Sequence, residues 1–363
     1  MQCTSPSFLR TDIGVSASNY KNISEVNGNV PMVQLKRLSE SFIAHTALMK
    51  MESCNPTGSI KDKNASYLIN LAESRGYLKP GGTIIESSSG NFGIALAALG
   101  ASRGYKVVIV IDAKTSQTMR RMLLAYGAYL EEVPLSLADG NGSMQKARMA
   151  HARALAENTP GSFYPCQHLN PDNPSAHYLY TGREVLLGLP KPPDAVVVGV
   201  STCGQLTGMA RYLRAHAPST KIVAVDVSGS VVLGTPAHSY KMTGLGLSFV
   251  PPNFDPGLVD IGYAVGDELA FSVCHMLAKR EGLLLGGSTG AIVAAAMAYL
   301  KGVRKHETVV MINPDRGDRY LDTIYNPDWI AAQGLKALGS KEVLDLVEQL
   351  SPVPAGLREV RHV

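Results

Sequence analysis

Cysteine is scarce in this sequence, and its spacing argues against two common roles. The five cysteines are odd in number, far apart and never arranged as Cys-x-x-Cys: Cys3, Cys54, Cys166, Cys203 and Cys274. Neither a disulfide framework nor a zinc site is predicted from this pattern. The nine histidines contain no His-x-x-x-His pair, which also disfavours a metal site. We expect a reduced, cytoplasmic protein that holds no metal.

Long apolar runs are missing as well. The longest, AIVAAAMAYL, is too short to cross a bilayer. The N-terminal MQCTSPSFLR has no basic segment followed by an apolar one. The net charge of +4 is small for 363 residues, and the basic residues are scattered among 30 acids. We therefore expect neither a membrane nor a nucleic-acid partner.

Three signatures of frequent catalytic sites are absent. The sequence has no Walker lysine pattern, no Gly-x-Gly-x-x-Gly after its first strand and no Gly-x-Ser-x-Gly. ATP hydrolysis, dinucleotide binding and Ser-His-Asp hydrolysis are therefore disfavoured.

Short runs of valine and isoleucine alternate with helical patterns along most of the chain. Strands are predicted at 82–87, 106–112, 194–200, 221–227 and 308–315. Helices are predicted between them at 91–102, 115–126, 143–157, 204–216 and 289–301, and KEVLDLVEQL predicts a last amphipathic helix. This alternation is typical of α/β proteins whose sheets are mainly parallel.

Five turns rich in glycine or hydroxyl groups stand where the chain enters a helix: NPTGSIKD, SSSGNFG, STCGQLTG, GLGLS and GGSTGA. Such turns present free backbone N–H groups to an anion. STCGQLTG follows a strand directly, which favours a phosphate site, although helix capping explains any single turn of this kind. SSSGNFG has more hydroxyl groups than capping needs, which favours a carboxylate site.

Lys61 lies at the junction between a turn and a helix, where a cation opposes the helix dipole. From this motif alone, solvated surface positions are favoured for both Lys61 and Lys63. The alternative is a desolvated Lys61, which loses its proton readily and can form a Schiff base. Asp62 is predicted to stabilise the helix start.

Taken in order, these turns resemble the fold type II pyridoxal-phosphate enzymes, the tryptophan synthase β superfamily, and within it the cysteine synthase group. The resemblance extends over about residues 25–325 and is carried by GNVPMVQL, NPTGSIKDK, ESSSGNFGIALA, QHLNPDNPSAHYLYTGREV, GVSTCGQLTG, GLGLSFVP and EGLLLGGSTGA. It implies two three-layer αβα domains with the cofactor, pyridoxal 5′-phosphate, in the cleft between them. It also implies a homodimer that acts on small amino-acid substrates.

The same resemblance implies domain limits. Residues 65–165 are expected to form a smaller, mobile domain that carries the substrate-carboxylate loop. Residues 1–64 and 166–330 are expected to form the larger domain that binds the cofactor phosphate, and residues 331–363 a C-terminal helical extension.

Site residues follow from the resemblance, position by position. Lys61 matches the lysine that binds the cofactor covalently and moves protons at Cα. Asn91 matches the asparagine at the 3′ oxygen of the cofactor, and Ser288 the serine at its pyridine nitrogen. The substrate carboxylate is expected at Ser88, Ser89, Gly90, Asn91 and Gln167. The phosphate cup is expected at Ser201, Thr202, Cys203, Gly204 and Gln205, where the family usually has Gly-Thr-Gly-Gly-Thr.

Ser288 also predicts the type of reaction. A hydroxyl partner does not hold the ring nitrogen protonated, so the cofactor is a weaker electron sink. Such a sink suits β-elimination, in which a leaving group accepts the electrons and an aminoacrylate forms. A nucleophile then completes a β-replacement.

Several strings, above all PDRGDRYLDTIY, are similar to the branch of the family that makes N-(2-amino-2-carboxyethyl)-L-glutamate, a 2,3-diaminopropionate precursor, from O-phosphoserine and glutamate in the biosynthesis of the siderophore staphyloferrin B. His168 replaces a tyrosine of that branch, and with Ser201 it is expected to face the substrates. Four arginines are candidate cations for a second amino acid, although surface positions explain them equally well: Arg120, Arg121, Arg316 and Arg319.

Two other functions stay open at this point. One is a cysteine synthase that uses sulfide with O-acetylserine or O-phosphoserine, since sulfide needs only a narrow entrance. The other is a non-catalytic regulatory subunit, which the joint presence of Lys61, Asn91 and Ser288 disfavours.

Overall fold

Two sheets organise the part of the chain that the computed structural model describes, namely residues 20, 22–38, 42, 44–140 and 142–353. The N-terminal MQCTSPSFLR lies outside these residues, as does the end of the predicted C-terminal extension. The strands are β1 (Met32–Gln34), β2 (Thr46–Met51), β3 (Thr83–Ser87), β4 (Lys106–Asp112), β5 (Tyr129–Val133), β6 (Ser162–Phe163), β7 (Ala195–Gly199), β8 (Lys221–Val227), β9 (Ile261–Val265) and β10 (Thr308–Asn313).

The helices alternate with these strands, as the sequence predicts. They are α1 (Lys61–Ser74), α2 (Asn91–Arg103), α3 (Gln117–Ala125), α4 (Gln145–Glu157), α5 (Asn173–Ala176), α6 (Arg183–Leu187), α7 (Gly204–His216), α8 (Asp267–Met276), α9 (Gly287–Lys301), α10 (Pro327–Ala332) and α11 (Ser340–Gln349). All five predicted strands and all five predicted helices are confirmed, with ends that differ by a few residues.

Within the described residues, one sheet has the strand order β1-β2-β10-β7-β8-β9 and the other the order β5-β4-β3-β6. Every neighbouring pair is parallel except β1 with β2. The smaller sheet falls within the predicted 65–165 domain, and the larger sheet uses strands from both sides of it. Because parallel strands end at the same edge of a sheet, the loops that follow β2, β7 and β10 gather at one edge of the larger sheet.

The core accounts for the strand sequences. All five residues of β7 are buried, as is nearly all of β8 and β10, which agrees with the apolar runs of strands covered on both faces. The predicted last helix is α11, whose Val343 and Val347 are buried. Among the described residues, no helix combines the length and the apolar character needed to cross a membrane.

A buried ion cluster corrects the surface position predicted for Lys63. Its amine lies 2.8 Å from Glu52 Oε1 and 2.9 Å from Glu184 Oε2, and its side chain is 1% exposed. Lys50 is also in this cluster, with its amine 2.6 Å from Glu184 Oε2. Strand β2, helix α1 and helix α6 each contribute to the cluster, so it fixes the first turns of α1 against the larger sheet.

We expect Lys63→Met to lower the free energy of unfolding by about 3–5 kcal/mol, because it leaves the buried Glu52 and the largely buried Glu184 with a single lysine. Urea unfolding measures this loss. The matched control is Arg75→Met, which breaks the exposed Arg75–Asp172 pair and should change the midpoint much less. A Lys63→Met protein that unfolds at the wild-type urea concentration contradicts the structural role of the cluster.

Candidate active site

Lys61 is the first residue of α1, and Asp62 fixes that helix start. The Asp62 carboxylate accepts hydrogen bonds from Thr57 N–H at 2.9 Å and from Thr57 Oγ1 at 2.7 Å. Burial raises the pKa of Asp62 to about 6, while the hydrogen bonds from Thr57 oppose this shift. The turn is also tied to the end of β10, because Ile60 N–H donates to the Pro314 carbonyl at 2.8 Å. The structural role predicted for Asp62 is confirmed.

The amine of Lys61 is in surroundings that favour its neutral form. Burial lowers its pKa from 10.5 to about 8, and the nearby charges of Asp315 and Cys203 oppose this shift. A lysine with this pKa has about a tenth of its amine in the free form at pH 7, far more than a lysine with the ordinary pKa. The side chain of Lys61 is only partly exposed, so the structure does not place it as a fully solvated surface lysine.

The loop from Ser88 to Asn91 joins β3 to α2. The Ser88 hydroxyl accepts a hydrogen bond from Gly93 N–H at 2.9 Å, so this side chain caps the helix. A methyl group added to Gly90 would meet no atom within 4 Å. The loop therefore has free space beside it, with the N–H groups of the helix start close by.

Glu86 links this loop to the segment that carries Gln167. Its carboxyl group accepts hydrogen bonds from Ser87 N–H at 2.8 Å and from Gln167 N–H at 3.2 Å. Burial raises the pKa of Glu86 to about 8, although these hydrogen bonds oppose the shift. Glu86 thus joins the end of β3, which leads into this loop, to the segment that carries Gln167.

Gln167 and His168 both have unused hydrogen-bonding atoms. Gln167 Oε1 and His168 Nδ1 are buried and have no partner, a condition that costs free energy unless a ligand satisfies it. Burial lowers the pKa of His168 to about 3, and the charges of Arg148 and Lys61 lower it further. His168 is therefore a neutral imidazole that lies within the electrostatic reach of both cations.

The turn from Ser201 to Gln205 follows β7 and begins α7. Cys203 has a φ of +61°, a conformation that glycine adopts without strain, which accounts for the glycine usual in this cup. At Gly204 an added methyl group would lie 2.1 Å from Asn173 Oδ1. The buried Gln205 Nε2 has no partner. The turn therefore brings free N–H donors of a helix start and of a side chain to one place.

Ser288 lies at the second position of α9 and is 2% exposed. Its surroundings are tight: a methyl group on Gly290 would lie 1.9 Å from the Ala270 carbonyl oxygen. Asp315 approaches the same helix start, because a methyl group on Gly286 would lie 2.0 Å from Asp315 Oδ1.

Three of the four candidate cations are engaged in other contacts. Arg120 pairs with Glu132 at 2.7 Å, and Arg316 Nε donates to the Ser53 carbonyl at 2.9 Å. Arg319 is 4% exposed, with its Nη2 donating to a main-chain carbonyl at 2.6 Å. Arg121 is exposed.

Arg148 is the buried cation that the sequence reasoning missed. It lies on α4, is 7% exposed, and its Nη1 donates to Asp112 Oδ2 at 2.7 Å. Its Nε is buried and has no partner. No sequence motif identifies Arg148, because a single arginine in an amphipathic helix is normally a surface residue. Its burial depends on the contact with Asp112 at the end of β4, which only the fold brings close.

The donor set fits pyridoxal phosphate. A partly buried lysine with a lowered pKa suits an aldehyde, and a helix start with an unpaired Gln205 amide suits a phosphate. Within the described residues, no group of three or more His, Cys, Asp or Glu side chains could hold a metal ion.

Comparison with known proteins agrees with this fit. Residues 23–315 match the model of the family described as pyridoxal-phosphate dependent enzyme. An N-(2-amino-2-carboxyethyl)-L-glutamate synthase of Ralstonia nicotianae is 38% identical over 311 residues, which cover 86% of this chain and 91% of that protein. A synthase of the same name from Cupriavidus metallidurans is 36% identical over 340 residues, which cover 93% of this chain and 98% of that protein.

Solved structures give the same result at the level of the fold. An O-ureido-L-serine synthase superimposes with a TM-score of 0.79 at 33% identity, covering 90% of this chain and all of that one. An O-acetylserine dependent cystathionine β-synthase from Helicobacter pylori gives 0.77 at 31% identity, covering 85% of this chain and all of that one. The predicted fold class is confirmed, and the chain belongs to the pyridoxal-phosphate dependent enzyme family.

Proposed function

We propose that this enzyme catalyses a β-replacement in which O-phospho-L-serine and L-glutamate give N-(2-amino-2-carboxyethyl)-L-glutamate and phosphate. Two relatives that bear the name of this synthase support the proposal, because each aligns over most of its own length. A cytoplasmic homodimer that supplies a 2,3-diaminopropionate precursor for a siderophore is part of the proposal.

When bound, pyridoxal phosphate supplies an aldehyde carbon that reacts with amines and a ring that accepts electrons. Lys61 would hold that carbon. The turn of Ser201, Thr202, Cys203, Gly204 and Gln205 would hold the phosphate. Asn91 would donate to the 3′ oxygen, and the Ser288 hydroxyl would meet the pyridine nitrogen without protonating it.

The donor carboxylate would bind at the loop of Ser88, Ser89, Gly90 and Asn91, together with Gln167. Glu86 supports this placement because it joins Gln167 to the end of β3, directly before that loop. The neutral amine of Lys61 then takes the Cα proton as a general base, for which a pKa of about 8 is suited to near-neutral pH. Lys61 returns a proton to Cα after the glutamate nitrogen has bonded to Cβ.

The proposal of O-phosphoserine as the donor rests on Arg148. A departing phosphate develops charge, and a buried guanidinium with a free N–H stabilises such charge better than water does. Arg148 has this free N–H, and its charge reaches His168, which also feels Lys61. Acetate, the leaving group of O-acetylserine, has a single charge and less need of a buried arginine.

The test of the donor is the visible spectrum of the purified holoenzyme after each donor is added alone. We expect O-phosphoserine to change the cofactor band at lower concentration than O-acetylserine, and glutamate to restore the resting band. A response to O-acetylserine alone, restored by sulfide and not by glutamate, would favour a cysteine synthase instead. A holoenzyme whose band responds to no donor would favour the non-catalytic subunit.

A further inference from the structure

A hydrogen-bonded bridge joins the two sheets beside Lys61, and the proposed reaction gives it no task. Asn91 begins α2, which follows a strand of the smaller sheet, whereas Asp315 and Arg319 follow β10 of the larger one. Asn91 Nδ2 donates to Asp315 Oδ2 at 2.7 Å. Arg319 Nη1 donates to Asn91 Oδ1 from the other side. The amide thus lies between a carboxylate and a guanidinium.

Both partners of the amide are held rigidly. The Tyr320 hydroxyl donates to Asp315 Oδ2 at 2.5 Å, and Asn313 Nδ2 donates to the Asp315 carbonyl at 2.8 Å. Arg319 Nη2 donates to the Thr57 carbonyl at 2.6 Å, which ties it to the turn that precedes Lys61. Asp315 and Arg319 are 1% and 4% exposed, so neither side chain has room to leave the bridge.

The bridge permits only one orientation of the Asn91 amide. Reversing it would set the amide oxygen against the Asp315 carboxylate and the amide NH₂ against the Arg319 guanidinium. Both contacts would then be repulsive, whereas both are now hydrogen bonds to charged groups, which are stronger than neutral ones. In the observed orientation one N–H of the Asn91 amide donates to Asp315, and the other N–H is available to donate to a ligand.

We propose that Asp315 and Arg319 are positioning residues, which fix the Asn91 amide so that its remaining N–H is directed to the 3′ oxygen of the cofactor. The inference rests on the proposed cofactor contact of Asn91, and it is independent of which donor the enzyme uses. Since Asn91 also belongs to the loop proposed to bind the donor carboxylate, the bridge sets the position of that loop relative to Lys61.

The test compares Asp315→Asn with Asn91→Ala in the holoenzyme. An asparagine at 315 has nearly the same shape, but it accepts or donates equally well, so it no longer selects one orientation of Asn91. Arg319→Lys disturbs the amide from the other side, because one ammonium cannot replace two guanidinium contacts in fixed geometry. Thr118→Val is the matched control: it removes another hydrogen bond to the segment that follows β10, from Thr118 Oγ1 on α3 to Asp322 at 3.0 Å, without touching Asn91.

The first readout is the resting absorption spectrum of the bound cofactor before any donor is added. We expect Asp315→Asn and Arg319→Lys to retain full cofactor content and to shift the band in the direction of Asn91→Ala, while Thr118→Val leaves it unchanged. The second readout uses whichever of O-phosphoserine and O-acetylserine changes the wild-type spectrum. The concentration of this donor that gives half of the spectral response should rise about 10-fold for the loss of one hydrogen bond to a charged group. The double variant Asp315→Asn/Asn91→Ala should be no worse than Asn91→Ala.

Three outcomes would overturn the proposal. One is a wild-type spectrum in Asp315→Asn and Arg319→Lys while Asn91→Ala is shifted. Another is an additive effect in the double variant. The third is an unshifted spectrum in Asn91→Ala, which would show that Asn91 does not contact the cofactor. This outcome distinguishes a failure of the proposed cofactor contact from a failure of the bridge. If Asp315→Asn does not fold, the spectrum of Arg319→Lys is compared with that of Asn91→Ala in the same way.

Discussion

Lys61→Ala is expected to abolish the visible band of covalently bound cofactor and to lower turnover by on the order of 10³-fold or more, because one side chain provides both the covalent attachment and the general base. The physical reason lies in its surroundings: burial lowers the pKa of Lys61 to about 8. The free amine needed for both tasks is then available near neutral pH.

Borohydride reduction followed by peptide mass spectrometry supplies the internal control. Lys63 lies two residues away in the same helix turn, but its amine contacts Glu52 at 2.8 Å and Glu184 at 2.9 Å, in an ion cluster away from the candidate site. We expect the reduced cofactor on Lys61 alone. Attachment to Lys63, or an unchanged band in Lys61→Ala, would contradict this assignment.

Arg148→Gln is expected to lower kcat/KM for O-phosphoserine by about 10- to 150-fold, the range for losing a hydrogen bond to a charged group. The value for O-acetylserine should change only a few-fold, because its leaving group does not need the guanidinium. Steady-state rates with the two donors measure this difference.

The single substitution also leaves Asp112 buried without its cation, and that effect must be separated from the loss of a substrate contact. The double variant Asp112→Asn/Arg148→Gln removes both charges and should regain the stability of the fold. It should keep the loss with O-phosphoserine. Recovery of O-phosphoserine turnover in the double variant would show that Arg148 acts on the fold alone.

The sequence predicted five of the ten strands that the structure describes, because each of these five is a short apolar run bounded by turn formers. The other five were not predicted: β1, β2, β5, β6 and β9. The sequence predicted Lys61 only through the order of seven motifs, since a lone lysine at a helix start looks like a surface residue. Lys63 was misassigned for the same reason: its partners Glu52 and Glu184 are distant in sequence, and only the fold brings them together.

Long-range contacts also explain what the sequence could not give at the site. Arg319 was a candidate for meeting a second substrate, yet its guanidinium is committed to Asn91 and to a main-chain carbonyl. Arg148 was overlooked because its burial depends on Asp112 at the end of another element. Both arginines are buried and keep an unpartnered Nε, and in each case only the fold shows which elements the guanidinium joins.

Product analysis tests the central claim most directly. The holoenzyme is incubated with O-phosphoserine and glutamate, released phosphate is measured, and the product is identified by mass spectrometry, with glutamate omitted in the control. The account predicts phosphate release that depends on glutamate and a product with the mass of N-(2-amino-2-carboxyethyl)-L-glutamate. Phosphate release that does not depend on glutamate, or cysteine formation from sulfide with no glutamate adduct, would contradict it.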